Sequence, residues 1–424
     1  MSQYNKSILD NGVRVVTEAM PHLHSVTIGL WVDIGARNEM PDENGTCHFI
    51  EHMMFKGTKK RTAFEIAAEL ESLGGNINAF TSREQTCYFA RILDEHLPVA
   101  VDLLSDMLLN SAFADDQIER ERGVILEEIN EVFDTPSEYV HDMFAHAMWQ
   151  DNSLGQPILG PSEIVAGMKR DDLFGFLSRN YKAGRVLVAA AGNVDHDNLV
   201  DMLEKSLTLN PDQPVYIKDE PNVDPQPSKI VGHRDINQVH VCMGFPGYRY
   251  ANPDKFALLM IHNILGGGMS SRLFQAVREE LGYAYSVYTY QDFYKDAGIF
   301  GVYLGTDVKN VKQSIEVILA ETEKMRIERI SDKEIETSRQ QLKGNLMLGL
   351  ESTSARMNRL ARHEFGYNTT ISIEETLQKI DSVTVEDIEK ASNEIFSADQ
   401  MALAILGPVE DVILDEIDWS ILSS

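Results

Sequence analysis

Cysteine, positive charge and long apolar runs are all scarce in this chain. The three cysteines, Cys47, Cys87 and Cys242, are odd in number and far apart. That excludes a disulfide framework and suits a reducing compartment. Only 38 Lys and Arg stand against 66 Asp and Glu, a formal net charge of −28. No basic stripe breaks the acid, so no nucleic acid partner is expected. No apolar run approaches a membrane span. The opening residues Met1 to Lys6 lead into a strand-like segment and not into a charged and then apolar leader. The expectation is a cytoplasmic protein with no membrane partner. Its acid could steer basic peptides toward it, or simply keep it in solution.

Hydrophobic residues make up 43% and charged residues 25% of the 424, an ordinary globular balance. The length suffices for two domains of about 200 residues, each with its own core. Pro211 to Pro227 holds five prolines among Asp, Asn and Gln, and such a segment forms neither helix nor central strand. The expected division is therefore 1–210, a linker at 211–227, and 228–424.

The order of elements repeats across that linker. Before it, strands are expected at 12–18, 25–34, 76–81, 86–93 and 186–191, with helices at 62–73, 96–109, 116–133, 137–149 and 197–207 among them. After it, strands are expected at 229–232, 238–244, 284–291, 298–304 and 401–406, with helices at 253–265, 270–280, 308–326, 332–350 and 353–364. A period near 210 residues marks an internal duplication. The fold class is α+β, two homologous domains, each a mostly antiparallel sheet with helices packed on one side.

The chemistry gathers in Cys47-His48-Phe49-Ile50-Glu51-His52-Met53-Met54-Phe55. The segment lacks Pro and internal Gly and reads as a helix, with Asn44 or Thr46 as its N-cap and Gly57 past its end. His48 and His52, four apart, project from one face, with Glu51 beside them. Two neutral imidazoles so placed can share a tetrahedral zinc ion and leave a carboxylate next to it. The order His-x-x-Glu-His is the inverzincin signature. The plainer reading is a solvated helix face with two unrelated histidines, so a third ligand decides. The acidic helix offers Glu119, Glu121, Glu127, Glu128 and Glu131. Glu121 and Glu128, seven apart, share a face, whereas Glu119 and Glu127 read as solvated. The second copy has no such motif and carries only His262 on the corresponding helix.

With these residues in place, the chain resembles the inverzincin peptidases, a family that includes pitrilysin, insulysin and mitochondrial processing peptidase. In length it matches the short, two-domain processing-peptidase branch. The resemblance runs through Glu51 to Thr58 (EHMMFKGT), Asn78 to Tyr88 (NAFTSREQTCY) and Leu159 to Ile164 (LGPSEI), and covers essentially the whole chain. It implies Glu128, in Leu126-Glu127-Glu128 about 75 residues after the motif, as the third ligand, and Glu121 as a carboxylate that orients a ligand histidine. It implies one zinc per chain, with manganese or cobalt as other ions the donors could accept. Glu51 becomes the general base.

The resemblance also implies that the strand Asn76 to Thr81 is an edge that binds peptide substrates, through Asn78, Ala79 and Phe80. Arg278 and Tyr285, seven apart in the second copy, would hold substrate and stabilise the tetrahedral intermediate, with Tyr283 competing for the tyrosine's place. Gly266-Gly267-Gly268 resembles a short glycine-rich substrate loop, or is only a helix cap and turn. A chain with both halves of the machinery implies a homodimer with composite sites. The metal residues of one subunit would meet Arg278 and Tyr285 of the other in an enclosed chamber that admits unfolded peptides. The activity implied is zinc metalloendopeptidase. The alternatives are a catalytically silent core subunit of the same fold or a metal-binding scaffold.

Overall fold

Three strands with apolar residues on both faces decide the layering of the first half. In β2 (Arg14–Ala19), β3 (Ser25–Val32) and β6 (Val186–Gly192) almost every residue is buried. Val26, Ile28 and Leu30, with Val186, Val188 and Ala190, face the larger core. The alternate residues Trp31, Leu187, Ala189 and Ala191 face the other way, onto Met357, Leu360 and Ala361 of the helix Thr353–Tyr367. A strand buried on both sides needs a helix on each. The expectation of helices on one side only is thereby corrected, because the second face is covered as well, its polar residues paired to that helix: Thr27 with Thr353, Glu18 with Arg356 and Arg14 with Glu364.

The computed structural model describes residues 3–150, 152–209 and 223–423, so most of the proline-rich segment lies outside the described residues. Two compact units emerge. One comprises Met1–Glu131, Gln156–Asp219 and Gly349–Thr370, the other Val132–Gly155, Glu220–Leu348 and Ile371–Ser424.

The first unit holds a six-stranded sheet, which adds β1 (Gln3–Ile8), β4 (Asn76–Thr81) and β5 (Thr86–Leu93), in the order β1-β2-β6-β3-β5-β4. The second holds five strands, β7 (Lys229–His233), β8 (Val239–Pro246), β9 (Ala284–Phe293), β10 (Gly298–Thr306) and β11 (Ala402–Gly407), in the order β7-β11-β8-β10-β9. Among the described residues only β2 with β6 and β7 with β11 run parallel; the other pairs are antiparallel. Strands β2 to β6 and β7 to β11 thus occupy matching places, with β4 and β9 as matching edges. That is the duplication read in the sequence.

In the second unit Val241, Met243, Phe300, Val302 and Leu403 face one core. Cys242, Tyr303, Ala404 and Leu406 face Val140, Phe144 and Met148 of the helix Pro136–Trp149. The helix expected at 270–280 is instead largely a π-helix, Phe274–Glu280, and the helices Ile373–Asp381 and Val385–Ile395 were not expected. Among the described residues no helix is long and apolar enough to cross a membrane.

Candidate metal centre

The motif forms a nine-residue helix, Thr46–Met54. Phe49, Ile50, Met53 and Met54 are buried in the core, which leaves His48, Glu51 and His52 on the remaining face. Its N-cap is neither Asn44 nor Thr46 but Gly45, with φ +97° and no side-chain cap. A Cβ there would lie 2.6 Å from the Leu159 carbonyl oxygen, so the position is closed to other residues. The capping acceptor comes from outside the helix. Buried Glu39 accepts from the Cys47 N–H at 2.6 Å and, through its other oxygen, from the Gly45 N–H and the Asn44 amide at 2.8 Å each. A carboxylate at a helix N-terminus satisfies orphan donors and opposes the helix dipole. Burial nevertheless pushes the Glu39 carboxyl up to about 7, against the pull of those N–H groups.

Glu128 comes from the acidic helix Asp115–Asp134, whose inward stripe is Ile118, Glu121, Ile125 and then Glu128. His48, His52 and Glu128 each offer one donor atom within 4.8 Å of the others. Glu128 Oε2 lies 3.6 Å from His48 Nε2 and 3.5 Å from His52 Nε2. Those separations are long for hydrogen bonds. They match the edge of a tetrahedron with bonds of about 2.05 Å, roughly 3.3 Å. Three donor atoms that converge without a shared proton fit a bound cation.

The protonation pattern agrees. His52 Nδ1 lies 3.2 Å from Glu121 Oε2, and a carboxylate there only accepts, so in the neutral ring the proton belongs on Nδ1 and the lone pair on Nε2. Glu121 is almost fully buried and pairs through its other oxygen with Lys56 Nζ at 2.8 Å. His48 is pushed down to about 4 by burial and then by His52, so its ring is neutral, as a ligand must be. Among the described residues its Nδ1 is buried without a hydrogen-bond partner. Glu51 has its carboxyl raised by burial, and less so by the Glu128 charge, while Thr81 and His52 pull it down.

The structure places the substrate-strand residues unequally. Strand β4 is the sheet's edge. Asn78 is exposed, and its Oδ1 accepts the Ala79 N–H at 2.8 Å. Ala79 packs against the core beneath the motif helix. Phe80 turns to the opposite face, edge-on to Trp31 at 5.4 Å. Thr81, unremarked in the sequence, donates to Glu51 Oε2 at 2.5 Å. Its signal was the strand's alternation, which puts it on the face of Ala79. Glu39 had no comparable signal, because Gly35 to Glu39 reads only as a turn.

In the second unit, Arg278 Nη1 donates to the Tyr285 carbonyl at 2.8 Å. The guanidinium stacks between the rings of Tyr285 and Phe274, 4.6 and 4.7 Å from their centroids. Tyr285 is 76% exposed. Tyr283 is half-buried against the core, with its backbone bonded to Val277 and Thr306.

Known proteins share this architecture. Residues 14–162 match the insulinase (peptidase family M16) model, and residues 167–342 match the peptidase M16 inactive domain. A zinc protease of Streptomyces coelicolor is 39% identical over 415 residues, 96% of this chain and 90% of that protein. The zinc protease YmxG of Bacillus subtilis is 37% identical, over 94% and 97% of the two chains. A protease structure from Helicobacter pylori superposes with TM-score 0.88 at 21% identity, covering 96% and 100% of the chains. A peptidase M16 inactive domain structure from Pseudomonas fluorescens gives 0.89 at 19%, covering 96% and 98%. With more than a third of its residues shared along nearly its full length, the chain belongs to peptidase family M16, and its metal is zinc.

Proposed function

We propose that the chain is a zinc-dependent endopeptidase of oligopeptides and extended, presequence-like segments, with His48, His52 and Glu128 as the metal ligands. The observation that carries this is the convergence of those three donors beside Glu51, a carboxylate that is no part of the set. Zinc, when bound, supplies Lewis acidity toward water and toward a scissile carbonyl. Glu51 takes a proton from the attacking water on its carboxylate and returns it to the leaving amine. Its raised pKa suits a group that must do both. Glu121 keeps His52 in the tautomer that offers Nε2.

A peptide adding to the β4 edge would be held by main-chain hydrogen bonds with little demand on sequence. Asn78 and the backbone of Ala79 and Phe80 are the contacts in this reading. Tyr285 donates its phenol to the developing oxyanion and Arg278 braces it; the exposure of Tyr285 favours it over Tyr283. The form proposed is a homodimer in which the two sets of residues come from different subunits. Mixing inactive Glu51→Gln chains with inactive Tyr285→Phe chains should then restore turnover, and failure to do so would exclude composite sites.

The test of the function is cleavage of a quenched fluorescent peptide library by the purified chain and by Glu51→Gln, with bound metal measured in both. Turnover in the wild type alone, with zinc retained in both, is expected. Zinc without turnover in either would favour a scaffold or silent subunit.

A further inference from the structure

We propose that Thr81 is a positioning residue of the reaction: its hydroxyl fixes the Glu51 carboxylate to the strand that carries the peptide, so base and substrate share one anchor. The inference rests on the reading of Glu51 as the base. Thr81 Oγ1 donates to Glu51 Oε2 at 2.5 Å, in the range of hydroxyl bonds to an ionised carboxylate. Among the described residues it is the hydrogen bond that Glu51 makes. A glutamate side chain on a helix has three torsions to fix. The hydroxyl therefore selects which rotamer is populated. It also occupies one carboxylate oxygen and leaves the other for the water proton.

The anchor is itself rigid. Thr81 closes β4, paired with Thr86 of β5. Ile77 and Ala79, on the same face, pack into the core that also holds the motif helix. Immediately beyond, the Ser82 carbonyl accepts from the Ala36 N–H at 3.1 Å and the Arg83 carbonyl from the Arg37 N–H at 2.8 Å. A Cβ at Gly35 would lie 2.4 Å from the Ser82 oxygen, so the two loops touch backbone to backbone. Threonine's branched Cβ restricts its own χ1, which keeps the hydroxyl aimed at Glu51. A peptide registered on Asn78 and Ala79 is thereby registered against the base.

The test compares wild type, Thr81→Val, Thr81→Ser and Glu51→Gln on one quenched peptide, with kcat and KM separated and zinc content and melting temperature recorded. Valine keeps the shape and loses the hydroxyl; serine keeps the hydroxyl. The expected result for Thr81→Val is kcat lower by about tenfold or more, with KM and zinc unchanged, since a bond to a charged group is lost. Thr81→Ser should stay within about threefold of wild type. Wild-type kcat in Thr81→Val, or equal losses in the valine and serine variants, would overturn the proposal while Glu51→Gln remains inactive. Full activity in Glu51→Gln would instead overturn the base assignment, and Thr81 with it.

Discussion

Replacing Glu121 with Gln tests how the site is oriented, because this carboxylate is not one of the three converging donors yet holds one of them, His52. Its side chain is 3% exposed, with Oε2 at 3.2 Å from His52 Nδ1 and Oε1 at 2.8 Å from Lys56 Nζ. Both neighbours are donors, so both oxygens must accept. An amide offers one oxygen and one NH2. If the oxygen faces His52, the NH2 confronts the Lys56 ammonium; if it is flipped, His52 Nδ1–H loses its acceptor. Either way one buried donor goes unpaired, at a cost of about 1–3 kcal/mol. Loss of the carboxylate also weakens the His52 lone pair as a donor. Together these should weaken zinc binding about 10- to 100-fold. The assay is titration of the apoprotein with zinc against a chromophoric chelator, with circular dichroism to confirm the fold. Glu127→Gln is the control, since that residue is exposed on the same helix, and should change affinity by less than about twofold. An unchanged affinity in folded Glu121→Gln would refute the reasoning and mean that packing alone orients His52.

Other substitutions test the surrounding structure. Gly45→Ala forces a side chain into a left-handed position facing the Leu159 carbonyl. It should cost about 1–3 kcal/mol in backbone strain alone and lower both melting temperature and zinc affinity; a variant that binds zinc normally would contradict the cap geometry. Met357→Ala empties a fully buried site whose sulfur lies 3.1 Å from Trp31 Nε1, at a cost of about 2–5 kcal/mol. Hydrogen exchange should accelerate in β3 and β6 and not in β8 and β10. Glu39, near 4.5 when exposed and about 7 in the fold, makes the folded chain bind more protons than the unfolded one between those values. Its contribution to stability therefore falls as pH rises from about 4.5 to about 7 and is flat above, by about 3 kcal/mol in total. Urea unfolding of the apoprotein between about pH 5 and pH 8 should show that slope and Glu39→Gln should lack it; equal slopes would refute it.

Much of the site was legible because its parts obey local periods. Four residues on a helix bring His48 to His52, and seven bring Glu121 to Glu128, wherever the helices go. The strand pair 76–81 and 86–93 was legible to the residue, since the polar run Ser82 to Gln85 separates two segments rich in apolar and β-forming residues. Glu39 was not legible: its partners are five to eight residues on, across a turn with no period. The helix Pro136–Trp149 has an apolar stripe, and the sequence could show that the stripe is buried but not which sheet buries it. The π-helical turn at Phe274–Glu280 was read as ordinary helix, because its residues suit either winding.

That pattern of burial has a consequence for synthesis. The N-terminal sheet buries Trp31, Leu187 and Ala189 under Thr353–Tyr367. All of its strands are complete once Gly192 has been made, but the wall that covers this face lies at the far end of the message. At about 5–20 residues per second, translation from residue 210 to 367 takes about 8–30 s. Throughout that interval the nascent chain carries an apolar sheet face with nothing native to cover it. Neither half released alone could repair this, because each carries the other's helix: a fragment ending at residue 210 would hold Pro136–Trp149 without its sheet and lack the helix its own sheet needs. The two halves of the duplication are therefore bound to be made, folded and inherited as one.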